Sequence, residues 1–395
     1  MKKVFKVVLS IFCFVLGAAV GALGCLIQTT PESYEIPNKI SSNGTVVAGD
    51  IKVQTVKQQD LSIHFLELGN KYTGDCTFIK IGDVEMLVDA GSKTSSIKTI
   101  KEYIGAYIEG ELDYVIVTHA HEDHYAGFAT KEVGADSLFD YFDVGHIIDF
   151  GTGTNKTEVD DGKTNMFENY IRERNYEIDV DGAKYTPVQD FFKAENPANR
   201  RFELGTTGAY VEILYHKFYD QMRAETENDY SVCFQLVYDD KYYLFTGDLE
   251  AEGEESLVHE HIDGKNKDML HEVELYKAGH HGSKTSSTET LMNIVKPKVV
   301  CVCCCAGSSE YTSKNENQFP TQEFINNVYK ANPEAKIYVT TLCIDYKANS
   351  FTSFNGNIVF CANVGEERTI FFSNNETELK DTDWFKKNRT LPAST

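Results

Sequence analysis

Tyr114-Val115-Ile116-Val117-Thr118-His119-Ala120-His121-Glu122-Asp123-His124 is the stretch on which the reading of this chain turns. Its first residues are apolar and β-branched, the composition of a buried strand. Its last six hold His119, His121, Asp123 and His124. Neutral imidazole nitrogen and ionised carboxylate oxygen are ordinary ligands of zinc and similar divalent ions. A strand that ends in such a loop presents several of them in one direction. The chain has 11 histidines in 395 residues, so three in six positions is clustering. A solvated polar loop is the plainer alternative, but it explains neither Thr118 before the cluster nor Gly127 after it.

Upstream, Ile63, Phe65 and Leu68 fit one strand, and Thr77–Ile81 with Glu85–Val88 fit a hairpin around Gly82-Asp83. Ser95 to Gly110 predicts a helix with Ile97, Ile100, Tyr103 and Ile104 on one face. Downstream the logic repeats. Residues 211–215, 231–238 and 242–245 read as strands, Glu289–Val295 as a helix, 299–305 as a strand and Thr321–Ala331 as a helix. Strands followed by a helix, twice over, suit an α/β fold of two sheets packed face to face with helices outside. Residues 137 to 205 fit no simple repeat and read as an insertion near the mouth of the site, a substrate determinant or mere decoration.

A chain of this length buries a large core in one or two domains. Its net charge of −22 excludes a broad basic surface for nucleic acid on average. Met1-Lys2-Lys3-Val4-Phe5-Lys6 is basic, and residues 7 to 27 carry no charge, long enough to span a bilayer. Residues 1–28 therefore read as a membrane anchor, with a cleaved signal segment as the alternative; either delivers an extracytoplasmic protein. Residues 29–58 read as a turn-rich tether, 59–373 as the folded domain and 374–395 as a polar tail. Of ten cysteines, Cys301, Cys303, Cys304 and Cys305 crowd one run. It reads as a buried strand, with Cys303 and Cys305 on one face and Cys304 on the other, rather than as a thiolate metal site.

Thr118-His119-Ala120-His121-Glu122-Asp123-His124-Tyr125-Ala126-Gly127 resembles the HxHxDHxxG motif of the metallo-β-lactamase superfamily. Leu87-Val88-Asp89-Ala90-Gly91, Phe245-Thr246-Gly247-Asp248 and Ala278-Gly279-His280-His281-Gly282-Ser283 are similar to its other motifs, in order. Residues 61–69 with Gly74-Asp75-Cys76 resemble the opening of one branch, the hydrolase domain of the competence DNA-uptake channel and its stand-alone relatives. The resemblance spans about residues 55 to 365 and implies a four-layer αββα sandwich with two metals, Zn2+ or alternatively Mn2+, at one edge. It assigns His119 and His121 to the first metal, Asp123, His124 and His280 to the second, and Asp248 as the bridge. His280 is preferred to His281 as the ligand directly after Gly279, with His281 left to contact substrate or protonate a leaving group; the two could be exchanged. Asp89, with Asp75 and Ser283, is expected to order the ligands by hydrogen bonds.

One position departs from the pattern. The superfamily's third histidine for the first metal falls on Asn228, a poor zinc ligand. His216 is the nearest imidazole, otherwise an exposed strand end. Asp123, His281 and Asn228 are the expected catalytic side chains. The resulting expectation is an extracytoplasmic hydrolase of phosphoesters, of the phosphodiesterase or nuclease type, working through a metal-activated water. Its partners are a phosphoester or other small substrate and, through the N-terminal segment, a membrane; the net charge disfavours nucleic acid. A phosphorylcholine-type esterase of the cell envelope is an alternative, β-lactam hydrolysis a weaker one. A non-catalytic metal-binding module that keeps the fold is the alternative from another class.

Overall fold

The computed structural model of the chain describes residues 51–130, 136–151, 165–193, 195, 198–220 and 224–393. The expected anchor and residues 29–50 of the expected tether lie outside these residues. Among the described residues no helix is long and apolar enough to cross a membrane.

Short apolar runs bounded by turns give the strands in chain order: β1 (Leu61–Phe65), β2 (Thr77–Ile81), β3 (Val84–Val88), β4 (Leu112–Val117), β5 (Val144–Asp149), β6 (Lys184–Pro187), β7 (Arg201–Glu203) and β8 (Tyr210–Leu214). The rest are β9 (Cys233–Tyr238), β10 (Lys241–Phe245), β11 (Leu275–Lys277), β12 (Val299–Ala306), β13 (Lys336–Asp345), β14 (Ser350–Ser353), β15 (Ile358–Ala362) and β16 (Thr369–Phe372). They form two eight-stranded sheets, β16-β15-β1-β2-β3-β4-β5-β6 and β14-β13-β12-β11-β10-β9-β8-β7. In the first, β3 to β6 run parallel. In the second, β10 to β13 do. Each sheet thus has an antiparallel part and a parallel part, the architecture expected of the two-sheet reading. Parallel strands bind ligands beyond their carboxyl ends, and the motif residues Asp89, His119, Asp248 and His281 all follow the carboxyl ends of β3, β4, β10 and β11.

The helix Ile97–Ile104 buries Ile100, Tyr103 and Ile104 on the first sheet and stops at Gly105, short of the expected Gly110. On the second sheet, the helices Glu289–Val295 and Gln322–Ala331 pack Leu291, Met292, Phe324 and Val328 against Val300, Val302 and Cys304. Cys301 and Cys303 face the other way, into the core between the sheets. The alternation of the cysteine strand is as expected up to a register shift between Val302 and Cys305, and all four thiols are buried and free.

Three boundaries differ from the sequence reading. Ile51 and Val56, at the end of the expected tether, are buried in the core. The expected insertion contributes β5 and β6 to the first sheet and β7 to the edge of the second. Its helix Met166–Tyr176 is tied down by a buried ion pair, Arg174 Nη1 to Asp149 Oδ2 at 2.8 Å, with the Tyr170 and Tyr185 hydroxyls donating to the same carboxylate. The expected tail is packed too. Leu379 and Phe385 are buried, Thr382 caps the helix Asp383–Asn388, and Arg389 donates to the carbonyls of Asn315, Gln318 and Pro320. Polar average composition hid a few apolar anchors in each of these segments.

Candidate metal centre

Asp89 begins the centre. It follows β3 with a left-handed φ of 57°, which turns its carboxylate under the histidine loop. Its Oδ1 accepts from Thr118 N and its Oδ2 from Thr118 Oγ1, each at 2.8 Å, and Oδ2 also lies 2.8 Å from His124 Nδ1. The segments at 75, 90–91 and 123–124 interlock through backbone: Asp75 N donates to Asp123 O, Ala90 N to His124 O, and Gly91 N to Asp75 O. Gly91 is required for this approach, because a Cβ there would stand 1.4 Å from Asp123 O. Val232 N donates to Thr118 O and so joins the loop to the second sheet. On that sheet Ser231 Oγ accepts from Asp248 N at 3.0 Å and fixes the aspartate.

The side chains converge on one oxygen. Asp248 Oδ2 lies 3.2 Å from His124 Nε2, 3.3 Å from His281 Nε2 and 4.0 Å from His119 Nε2. His281 Nε2 lies 3.4 Å from Asp123 Oδ2, and His119 Nε2 lies 3.0 Å from His121 Nδ1. Each converging imidazole is held from behind: His124 Nδ1 by Asp89, His281 Nδ1 by Cys303 O at 2.9 Å and Asp75 Oδ1 at 3.3 Å. A histidine held by a carboxylate at one nitrogen and open at the other is the usual form of a metal ligand. The open nitrogens, His124 Nε2 and His281 Nε2, are buried and make no well-directed hydrogen bond, although the Asp248 carboxylate stands within 3.3 Å of each. Such orphaned atoms are costly, and a divalent ion satisfies them, so the residues fit one. Asp75, His124, Asp248 and His281 place donor atoms within 4.8 Å of one another. Of these four, Asp75 lies on the Nδ1 side of both rings, and its two carboxylate oxygens are buried without a hydrogen-bond partner. His119 and Asp123 border this group through Asp248 and His281, and His121 borders it through His119.

His281, not His280, faces the centre. Both take left-handed backbone, at φ 52° and 45°, and this turn sends adjacent side chains apart. His281 is buried against Asp248, while His280 is partly exposed beside Thr285 Oγ1 at 3.1 Å and Glu250 Oε1 at 3.4 Å. Asn228 joins His280 in that satellite, donating to Glu250 Oε1 at 3.0 Å. Its Oδ1 is buried without a partner. Ser283 bonds Thr285 and the turn itself, not a histidine of the centre. His216 is buried rather than exposed, with Nε2 on Ser231 O at 2.9 Å and its ring against Tyr219. It supports the segment before β9 that carries Ser231 and does not replace the absent third histidine.

Two residues were missed. Lys277, at the end of β11, is buried between Asp75 and Asp248; a lysine following Leu275-Tyr276 directly before a histidine motif was the available signal. Tyr311 donates to Asp123 Oδ2 at 2.9 Å from the loop after β12, and nothing in its own neighbourhood marked it.

Burial alone would weaken His124 as a base, but the Asp248 and Asp89 carboxylates outweigh it and raise its pKa well above the histidine range. Burial is likewise outweighed at His281 by Asp248 and Asp75. Burial would raise Asp248, yet His124, His281 and Lys277 hold it well below the carboxylate range. At His119 burial wins, aided by His124, and the pKa falls. Carboxylates that make buried imidazoles this basic are the electrostatic form of a cation site, where protons and a metal compete for the same nitrogens.

Two sheets with imidazoles and carboxylates gathered at the strand ends define an α/β fold with a possible metal site. Residues 69–130 match the family model described as Metallo-beta-lactamase superfamily. Among solved structures it is similar to the metallo-beta-lactamase fold protein YhfI from Bacillus subtilis, 11% identical over 71% of this chain and 96% of that one at TM-score 0.40. It is also similar to CmlA, a diiron β-hydroxylase from Streptomyces venezuelae, 12% identical over 70% and 49% at TM-score 0.34. The flavodiiron protein from Giardia intestinalis aligns at 11% identity over 47% and 38%, TM-score 0.27. Likenesses at these scores carry no argument about activity. No curated protein matches the chain.

Proposed function

We propose that the protein is an extracytoplasmic, metal-dependent phosphoester hydrolase of the phosphodiesterase type. The observation that carries the chemistry is the convergence of His119, His124 and His281 on Asp248 Oδ2, with Asp123 alongside. A divalent ion held there would polarise a phosphoryl oxygen and make water a competent nucleophile. The chain's own residues do the rest. Asp89 and Asp75 keep the ring nitrogens of His124 and His281 aimed at the centre. Tyr311 brings a hydroxyl to Asp123, and His280, turned outward beside Glu250, is placed to deliver a proton to a leaving group. The location rests on the basic start and uncharged run of residues 1–27.

The acidity of the chain favours a small or zwitterionic phosphodiester, of the phosphorylcholine kind, over DNA. Metal analysis of the purified protein, with bis-p-nitrophenyl phosphate, single-stranded DNA, a cyclic dinucleotide and phosphorylcholine esters assayed side by side in Zn2+ and Mn2+, tests both statements. Metal-dependent turnover is expected, with His121→Ala losing metal and activity while folded. A metal-bound protein that cleaves none of these identifies a binding module. Preference for DNA overturns the substrate statement alone.

A further inference from the structure

Lys277 has no part in the scheme above, yet it is one of the most deeply buried charges in the molecule. Its ammonium pairs with Asp75 Oδ2 and lies 3.5 Å from Asp248 Oδ1 and 3.4 Å from Gly247 O. An ammonium taken out of water loses several kcal/mol of solvation that only well-placed partners restore. Apolar residues of similar size would fill the end of β11 without that cost, so its placement calls for a use.

The use follows from which oxygens it touches. Asp248 presents Oδ2 to His119, His124 and His281, and Oδ1 to Lys277. Asp75 likewise gives Oδ2 to Lys277 and Oδ1 to His281 Nδ1. The ammonium is tied to Asp75, which lies on the Nδ1 side of His124 and His281, while their Nε2 atoms face Asp248 Oδ2. We propose that Lys277 is a positioning residue of the metal centre: anchored on Asp75, it holds the rear oxygen of Asp248 so that this aspartate offers a single oxygen to metal, and it keeps Asp75 turned to the back of His281 rather than into the coordination sphere. A carboxylate left free at both oxygens chelates one ion; a carboxylate tied at one oxygen leaves the other to be shared. The lysine thus sets the coordination mode of Asp248, a role a neutral residue cannot fill and an arginine can fill only in part.

The inference rests on the metal-binding reading of the site and is independent of the substrate. Its test is therefore metal binding, not turnover. Lys277→Met, Lys277→Arg, Asp75→Asn and the double variant D75N/K277M are titrated with Zn2+ against a chromophoric chelator, and their Co2+ forms are recorded in the visible. The double variant keeps the net charge of the site and leaves no unpaired buried charge, so it serves if Lys277→Met fails to fold. Measured against Asp75→Asn, the double variant is expected to lose about 10–100-fold in Zn2+ affinity, the usual cost of an outer partner. Saturated with Co2+, it is also expected to show weaker visible absorption per ion as Asp248 closes on the metal with both oxygens. Lys277→Arg is expected to retain part of the native spectrum. A folded double variant with the affinity and Co2+ spectrum of Asp75→Asn overturns the proposal. A native protein that binds metal but hydrolyses no phosphoester leaves it standing and removes the functional reading instead.

Discussion

At residues 119–124 three histidines reach the centre because the bend beyond β4 carries His119 and His121 side by side and the helical turn Glu122–Tyr125 brings His124 back to them. At residues 278–283 the neighbouring histidines part, because two successive left-handed residues rotate His281 inward and His280 outward. The first loop spends glycine space: Gly74, Gly91 and Gly127 each stand where a Cβ would meet neighbouring atoms within 3 Å. The second spends backbone strain, since left-handed torsion costs about 1–2 kcal/mol for each residue with a side chain. Close backbone packing therefore decides the geometry of one loop and torsion that of the other.

The sharpest way to break this comparison is to exchange the roles of the two adjacent histidines. His281→Ala is expected to lose metal outright, beyond the about 10–100-fold that removal of an outer partner costs. His280→Ala is expected to keep its metal and to lose about 100-fold in kcat, the contribution of a general acid. Metal analysis beside steady-state kinetics separates the two, and retention of metal by His281→Ala would return the ligand role to His280.

The same contrast explains what could be read in advance. The motif order, the two-sheet architecture and most of the centre were legible, because short apolar runs and ligand spacing are local properties of the chain. The choice between His280 and His281 was not, since the spacing of adjacent residues is identical and only their φ values tell them apart. Nor was Lys277's position between Asp75 and Asp248, or Tyr311's above Asp123, because each joins segments about two hundred residues apart. The insertion and tail misled for a different reason. Ile147, Ile148 and Tyr170 in the one, Leu379 and Phe385 in the other, are buried anchors that average composition dilutes.

Glycine space in the first loop is the next point of attack. Gly91→Ala forces its Cβ into Asp123 O and is expected to lower the free energy of unfolding by about 3 kcal/mol, the upper range of overpacking. Gly110→Ala, with nothing within 4 Å of the added carbon, is expected to stay within about 0.5 kcal/mol of wild type. Urea denaturation of the two variants checks the pair. In the second loop the expected sign reverses. His280→Gly relieves a left-handed residue and should be more stable than His280→Ala by about 1 kcal/mol. Equal stability of those two would mean that the turn is not strained and that something else parts the histidines.

The smallest effect separates the histidines of the centre from those of the core. His64 lies fully buried among Phe78, Tyr103 and Tyr107, bonded to Tyr103 and Ser62. Burial depresses its pKa to about 3, against 6.5 in an unfolded chain. A group with a depressed basic pKa must stay neutral to keep the fold. Its contribution to stability is complete above the unfolded value of 6.5 and is lost as pH falls from there toward 3. His124 and His281, whose pKa values are raised, act the other way in metal-free protein. Their contribution is complete below about 6.5 and lost as pH rises through the folded values. Between pH 6.5 and 6.0 the proton taken up by unfolded His64 is worth about 0.4 kcal/mol. His64→Gln is therefore expected to flatten the acid side of the stability profile by that amount over that interval, whatever its own effect on overall stability. Chelator-treated His281→Ala should flatten the loss of stability as pH rises above about 6.5, since that contribution goes with the ring. Parallel profiles for both variants, measured by urea denaturation in steps of half a pH unit, would show that the two classes of buried histidine are not distinguished by charge after all.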